Sequence, residues 1–206
     1  MREKILITGA SGLLGRALVE IFLENDFFVY GQYHSDKPGE KTNCEWLPAD
    51  FSTLPGIRVF LNDNVSRFAG CRYLINNYGP ITYKDSSLLK SEDYYFDFFH
   101  NVISAVEITD FFIENTALEA VVNIGFEFAG VIKPYKKILS YAAAKNSLLL
   151  ITRSYAENYG HIRFNMVCPG TLEGAAVEPA GGKRTSPAKA AQEIYETLLN
   201  PGLKST

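Results

Sequence analysis

The stretch Lys4-Ile5-Leu6-Ile7-Thr8-Gly9-Ala10-Ser11-Gly12-Leu13-Leu14-Gly15 decides the fold. Residues 4–8 form a short apolar run that reads as a strand. Residues 13–23 follow at helical spacing, with Leu13, Leu14, Ala17, Leu18 and Ile21 on one side. The glycines between them have separate tasks. Gly9 allows a tight turn. Gly12 lets backbone approach a pyrophosphate with no Cβ in the way, and Gly15 lets the helix pack closely on the strand. A helix starting there offers free N–H groups and the positive end of its dipole to phosphates. Three glycines alone are weak evidence, but in the first βα turn at this spacing they mark a dinucleotide site.

Outward from this turn, strands alternate with helices. Strands are expected at residues 27–33, 45–49 (weakly), 72–76, 120–124 and 161–167. A long helix is expected over residues 91–115, with Ser91 as N-cap and Glu92 and Asp93 in its first turn. Another spans residues 141–159, stopped by Gly160, and a last one spans residues 187–200. Residues 174–187, rich in Gly and Pro, read as a loop. The pattern implies a single α/β domain over residues 1–206. Its architecture is a doubly wound, mostly parallel Rossmann sheet of about six strands flanked by helices.

Composition narrows the function. The 206 residues are 47% hydrophobic and 21% charged, with a net charge of −3, which suits one globular domain. Without a strongly basic stretch, nucleic acid is not an expected partner. Lys136-Lys137 and Lys183-Arg184 read as solvated surface. No apolar run is long enough for a membrane span, and Ile5-Leu6-Ile7 is too brief for a signal peptide. Cys44, Cys71 and Cys168 lie far apart without metal-ligand spacing, so no metal is expected and the chain reads as cytoplasmic.

The tip of strand two reads Gly31-Gln32-Tyr33-His34-Ser35-Asp36-Lys37. An NAD site usually places an acid there for the ribose 2′-hydroxyl. The tip carries none, and His34, Ser35 and Lys37 can hold a 2′-phosphate. Asp36 is the competing residue, one small loop shift from the ribose. NADP(H) is therefore favoured over NAD(H).

In the second half, Tyr141 and Lys145 stand at i and i+4 on one helical face. A nearby cation favours the phenolate and lowers a tyrosine pKa, which makes an acid/base usable near neutral pH. The pair is weak evidence alone. Taken with the rest, the chain resembles the short-chain dehydrogenase/reductase family over nearly its whole length, with motifs in the family's order. These are the turn from Thr8 to Gly15, Asp50 after strand three, Asn76-Asn77-Tyr78-Gly79 after strand four, Asn101, Tyr141 with Lys145, and Pro169-Gly170. The resemblance implies that Ser11, Gly12, Leu13 and Leu14 surround the pyrophosphate. It puts Asp50 and Phe51 at the adenine, Asn77, Tyr78 and Gly79 along the cofactor, and Pro169, Gly170 and Thr171 beside the nicotinamide. It makes Tyr141 the proton-exchanging group and Lys145 the group that tunes it and bonds the ribose. Asn101 would hold a water linking Lys145 to solvent. It also implies a small-molecule substrate and a homo-oligomer, which the aromatic run Tyr94 to Phe99 can join.

The pattern breaks at the family's catalytic serine. Residues 123–130 contain neither Ser nor Thr. Aligning on Asn123 puts Phe126 at that position, while counting back from Tyr141 puts Phe128 there. Losing a comparable donor typically costs about 10²- to 10³-fold in rate. Tyr78 also replaces a small residue, and the chain is shortened after Pro169-Gly170, with no seventh strand expected. Two readings follow: an NADP(H)-dependent oxidoreductase of a small carbonyl, alcohol or related acceptor, or a non-catalytic NAD(P)-binding sensor or partner subunit.

Overall fold

A computed structural model of the chain describes residues 2–179, 183–200 and 202. Strands β1 (Lys4–Ile7), β2 (Phe28–Tyr33), β3 (Cys44–Pro48), β4 (Cys71–Asn76), β5 (Ala120–Ile124) and β6 (Arg163–Val167) form one six-stranded sheet. The order is β3-β2-β1-β4-β5-β6 and every neighbouring pair is parallel. Strand order therefore reverses between β1 and β4, where such a sheet opens a crevice at its carboxyl edge.

The helices are α1 (Leu13–Glu24), α2 (Leu54–Asp63), α3 (Val65–Phe68), α4 (Ser91–Phe98), α5 (Ser104–Asn115), α6 (Leu139–Asn158) and α7 (Pro187–Leu199). Alternation along β1 sends Ile5 and Ile7 to one face and Leu6 to the other. The first face is covered by Leu14, Leu18 and Phe22 of α1 with Ile194 and Leu198 of α7. The second holds Phe60, Phe68, Phe112 and Phe164. Each such aromatic ring, fully buried, contributes about 1.5–3 kcal/mol. Between β4 and β5 the core turns polar. Asn76 donates to Asn123 at 2.8 Å and to Thr109 at 3.0 Å, and Asn123 donates to Thr152 at 2.8 Å.

Several local expectations change. The buried stripe of α1 is Leu14, Leu18, Val19 and Phe22, while Leu13 is 45% exposed. Leu13 starts the helix at the crevice and faces it rather than the core. Helices α2 and α3 were not anticipated; Pro55 sits in the first turn of α2, where its missing N–H costs nothing. Lys90, not Ser91, is the N-cap of α4, and its N–H is held by the Asp93 carboxylate at 2.8 Å. The long helix is real but passes through a π-helical segment, Phe99–Ile103, between α4 and α5.

The segment after β6 is not bare loop. β7 (Thr171–Leu172) pairs with β8 (Arg184–Thr185), and Arg184 donates to the carbonyls of Leu172, Ala175 and Val177 at 2.9–3.0 Å. Arg184 is thus a structural clamp rather than idle surface charge. Residues 180–182, part of the expected loop, lie outside the described residues.

Candidate active site

A cleft of about 680 Å³ opens where the strand order reverses. Its floor is the turn after β1. Gly9 takes the left-handed conformation at φ +60°, which suits glycine. A Cβ on Gly15 would stand 2.3 Å from the Gly9 carbonyl oxygen, so only glycine lets α1 lie this close. Gly15 thus builds the floor from behind and does not face the cleft, which Gly9, Ser11, Gly12, Leu13 and Leu14 do. No side chain caps the N-terminus of α1, so its first N–H groups remain for an anion. The turn is anchored by Gln32 and Asn77. Gln32 accepts from Gly9 N at 2.8 Å and donates to the Ala49 carbonyl; Asn77 donates to the carbonyls of Thr8 and Gly9 at 3.0 Å.

His34, Asp50 and Phe51 border one end of this cleft, with His34 Nε2 3.7 Å from Asp50 Oδ1. Ser52 donates to the Asp50 carboxylate and, first among the causes, holds its pKa below the usual value. Ser35 is exposed and outside the cleft lining, and Lys37 faces Glu40 at 3.7 Å. Tyr78 lines the cleft and meets His100 Nδ1 through its hydroxyl at 2.7 Å. His100, given no role from sequence, is therefore buried beneath the cleft wall, and burial lowers its pKa.

Gly125, Phe126, Tyr141, Gly170 and Thr171 line the other end. Pro169 lies just behind Gly170 and outside the lining. Of the two phenylalanines, Phe126 lines the cleft. Its ring sits 6.0 Å edge-on from Tyr141, while Phe128 packs under Lys133 at 3.3 Å. Lys145 is buried behind Tyr141, its Nζ 5.6 Å from the tyrosine ring centre and donating to the Ile124 carbonyl at 2.7 Å. Asn101 is buried too. Its amide donates to the carbonyls of Pro80 and Asp97, and its Oδ1 has no partner. A Cβ on Gly79 would lie 2.4 Å from that oxygen and 3.2 Å from Lys145 Nζ, so glycine alone fits over the pair. The bare cradle over α1 and the orphaned Asn101 oxygen fit a bound dinucleotide with a nearby water.

The sequence pattern of the short chain dehydrogenase family matches residues 3–184. The chain belongs to that family. It is an oxidoreductase of the short-chain dehydrogenase type, on a Rossmann fold that binds NAD(P). It is 26% identical over 220 residues to the uncharacterized oxidoreductase YvrD of Bacillus subtilis (strain 168), covering 99% of this chain and 81% of that one. Glucose 1-dehydrogenase 2 of the same strain is 26% identical over 187 residues, covering 81% of this chain and 70% of its own. A short chain dehydrogenase family protein from Francisella tularensis subsp. tularensis SCHU S4 superposes with a TM-score of 0.83 at 20% identity, covering 97% and 92%. That last likeness concerns the fold.

In this short-chain dehydrogenase the electrostatics of the pair differ from the sequence expectation. Burial raises the Tyr141 phenol above its ordinary pKa, and the Asp97 carboxylate and Cys168 add to the rise. Burial also lowers Lys145 to about 8, so the cation expected to favour the phenolate is itself weakened. Sequence reading missed Gln32, Asp97 and Arg16, whose Nε holds the Ser11 carbonyl at 2.8 Å. The signal for Asp97 was there: one acid between Phe96 and Phe98, four residues before Asn101.

Lys145 carries a stability consequence. Its native pKa, about 8, is below the ordinary 10.5, so the unfolded chain holds the proton longer as pH rises. The penalty is full below pH 8 and fades between 8 and 10.5. In urea titrations Lys145→Met is expected to be more stable than the parent at pH 7, by on the order of 3 kcal/mol, with the gap closing by pH 10.5. A gap unchanged with pH would contradict the buried ammonium.

Proposed function

We propose that the chain is an NADP(H)-dependent oxidoreductase of a small carbonyl, alcohol or related acceptor, with Tyr141 as acid/base. The observation that carries the reading is Tyr141 on the cleft wall with Lys145 and Asn101 directly behind it under Gly79. NADP(H), when bound, supplies or accepts the hydride. The α1 N-terminus with Ser11, Gly12, Leu13 and Leu14 holds the pyrophosphate. Tyr141 passes its phenolic proton to the acceptor oxygen in reduction. Lys145 holds the nicotinamide ribose, and Asn101 Oδ1 orders the water through which the tyrosine is re-protonated. Gly170 and Thr171, on the cleft wall, would border the nicotinamide. A Phe126 ring cannot donate a hydrogen bond, so substrate orientation rests on packing against the Phe126 ring on the cleft wall.

The same Phe126 ring supports the second reading, a non-catalytic NAD(P)-binding sensor or partner subunit, because it fills the place of a donor. Tyr141→Phe separates the two. NADPH oxidation over a carbonyl panel is expected to fall about 10²- to 10⁴-fold while cofactor binding, read by calorimetry, is kept. Parent and variant equally inert across the panel would favour the sensor.

The NADP(H) preference rests on His34 in the cleft and on the absence of an acid at the β2 tip, with Ser35 next in sequence. Calorimetric titration should give tighter binding of NADPH than NADH at low salt. His34→Ala should erode that preference by about tenfold, the worth of one charge-assisted hydrogen bond. Tighter NADH binding by the parent would reverse the assignment toward Asp36 or Asp50.

Tyr95 is 73% exposed on α4 and Leu150 67% exposed on α6, while α4 packs against α6. These apolar residues support the homo-oligomer reading. Sedimentation should give a dimer for the parent and a monomer for Leu150→Glu; a monomeric parent would remove it. The thiols Cys44, Cys71 and Cys168 are unpaired, which supports a reducing, cytoplasmic setting.

A further inference from the structure

Asp97 lies at the end of α4 with its side chain fully buried. No lysine, arginine or histidine of the described residues comes within ion-pair distance of it. A carboxylate in such a place is costly unless its oxygens are bonded, and a similar-sized apolar residue would cost less. Both oxygens are bonded. Ser140 Oγ donates to Oδ2 at 2.5 Å, and Thr82 N donates to Oδ1 at 3.1 Å. The Asp97 carbonyl also accepts from Asn101 Nδ2 at 3.0 Å. Asp97 therefore joins three parts of the site: the loop after β4, the first turn of α6 beside Tyr141, and the π-helical segment carrying Asn101.

We propose that Asp97 is a positioning residue of the active site. Its buried carboxylate clamps the Thr82 loop to the Ser140 turn and places a negative charge beside the Asn101–Lys145 pair. The inference rests on Tyr141 and Lys145 being the working pair. Three pieces of geometry support it. Ser140 precedes Tyr141 directly, so the clamp fixes the turn from which the phenol projects. Asn101, tied to Asp97, shares the space under Gly79 with Lys145 Nζ. Both bonds to the carboxylate come from neutral donors, so its charge stays uncancelled in a dry interior, where Coulomb interactions are strong.

The charged and titratable groups facing this carboxylate are Tyr141 and Lys145 from α6 and His100 from its own helix. Its charge raises the proton affinity of all three. Cys168, after β6, acts on Tyr141 and Lys145 in the same direction, and Asp50 acts on His100. Burial opposes the ammonium at Lys145 and is the larger effect there. Cys168 and then Asp97 partly offset that loss, and the Asp97 charge disfavours the Tyr141 phenolate, holding the phenol as a proton donor. The arrangement suits reduction, in which the tyrosine must begin protonated.

The test is carbon NMR of the full chain with lysine labelled at Cε, titrated from pH 6 to 10. Lys145→Gln identifies the Lys145 signal by its disappearance. In Asp97→Asn, which keeps the shape and can still bond Ser140, the Lys145 midpoint is expected to fall by about one pH unit. In Asp97→Ser, a smaller neutral replacement, the midpoint is expected to fall likewise. An unmoved midpoint in Asp97→Asn overturns the proposal. If that variant does not fold, an unmoved midpoint in Asp97→Ser overturns it instead. The titration needs no turnover, so an inactive parent would count against the proposed activity and leave this inference to be decided by the midpoints.

Discussion

Two backbones meet too closely for any side chain at Gly15, where α1 lies against the carbonyl of Gly9. Much else follows from that approach. It sets the depth of the turn after β1, and the turn sets where an anion can rest on the helix N-terminus. Gln32 from β2 and Asn77 from the end of β4 then hold the turn from either side, so three neighbouring strands share one junction. The floor of the cleft is thus set by close backbone packing, with the Gln32 and Asn77 side chains as struts. A second close approach, at Gly79, repeats the device over Asn101 and Lys145. One glycine lets α1 close on the turn after β1, and the other makes room for a buried amine and amide.

The architecture was legible because its signals are local and repeat. Each strand is a short apolar run, and the glycine turn has one low-strain backbone solution. Helices α2 and α3 were less legible because Pro55 and Gly56 look like breakers until the first-turn position of the proline is known. The π-helical segment around Asn101 leaves no mark in hydrophobic spacing, since it only widens a helix already expected. The α1 stripe was misjudged by one residue because Leu13 is apolar for the cleft's sake and not for the core's.

The site was legible in its members and less so in its electrostatics. Tyr141, Lys145, Asn101 and the glycines stand together as their motifs imply. The direction of the tyrosine's proton affinity did not follow from sequence, because it depends first on how deeply Tyr141 is buried and then on Asp97, which approaches from another helix. Distances between elements that are far apart in the chain are what spacing rules cannot report. The same holds for Phe126 and Phe128, two residues apart in sequence, of which one faces Tyr141 and the other lies under Lys133.

The polar rung through the core has a consequence for folding fidelity. Parallel strands buried on both faces are apolar almost throughout, so sliding one past its neighbour exchanges one greasy contact for another at little cost. Asn76 and Asn123 face each other across β4 and β5, with Thr109 and Thr152 beyond them. Any slip would strand four polar groups in hydrocarbon at about 1–3 kcal/mol each. The rung works as a key cut for a single alignment, and the crevice at the strand tips inherits its accuracy from that alignment.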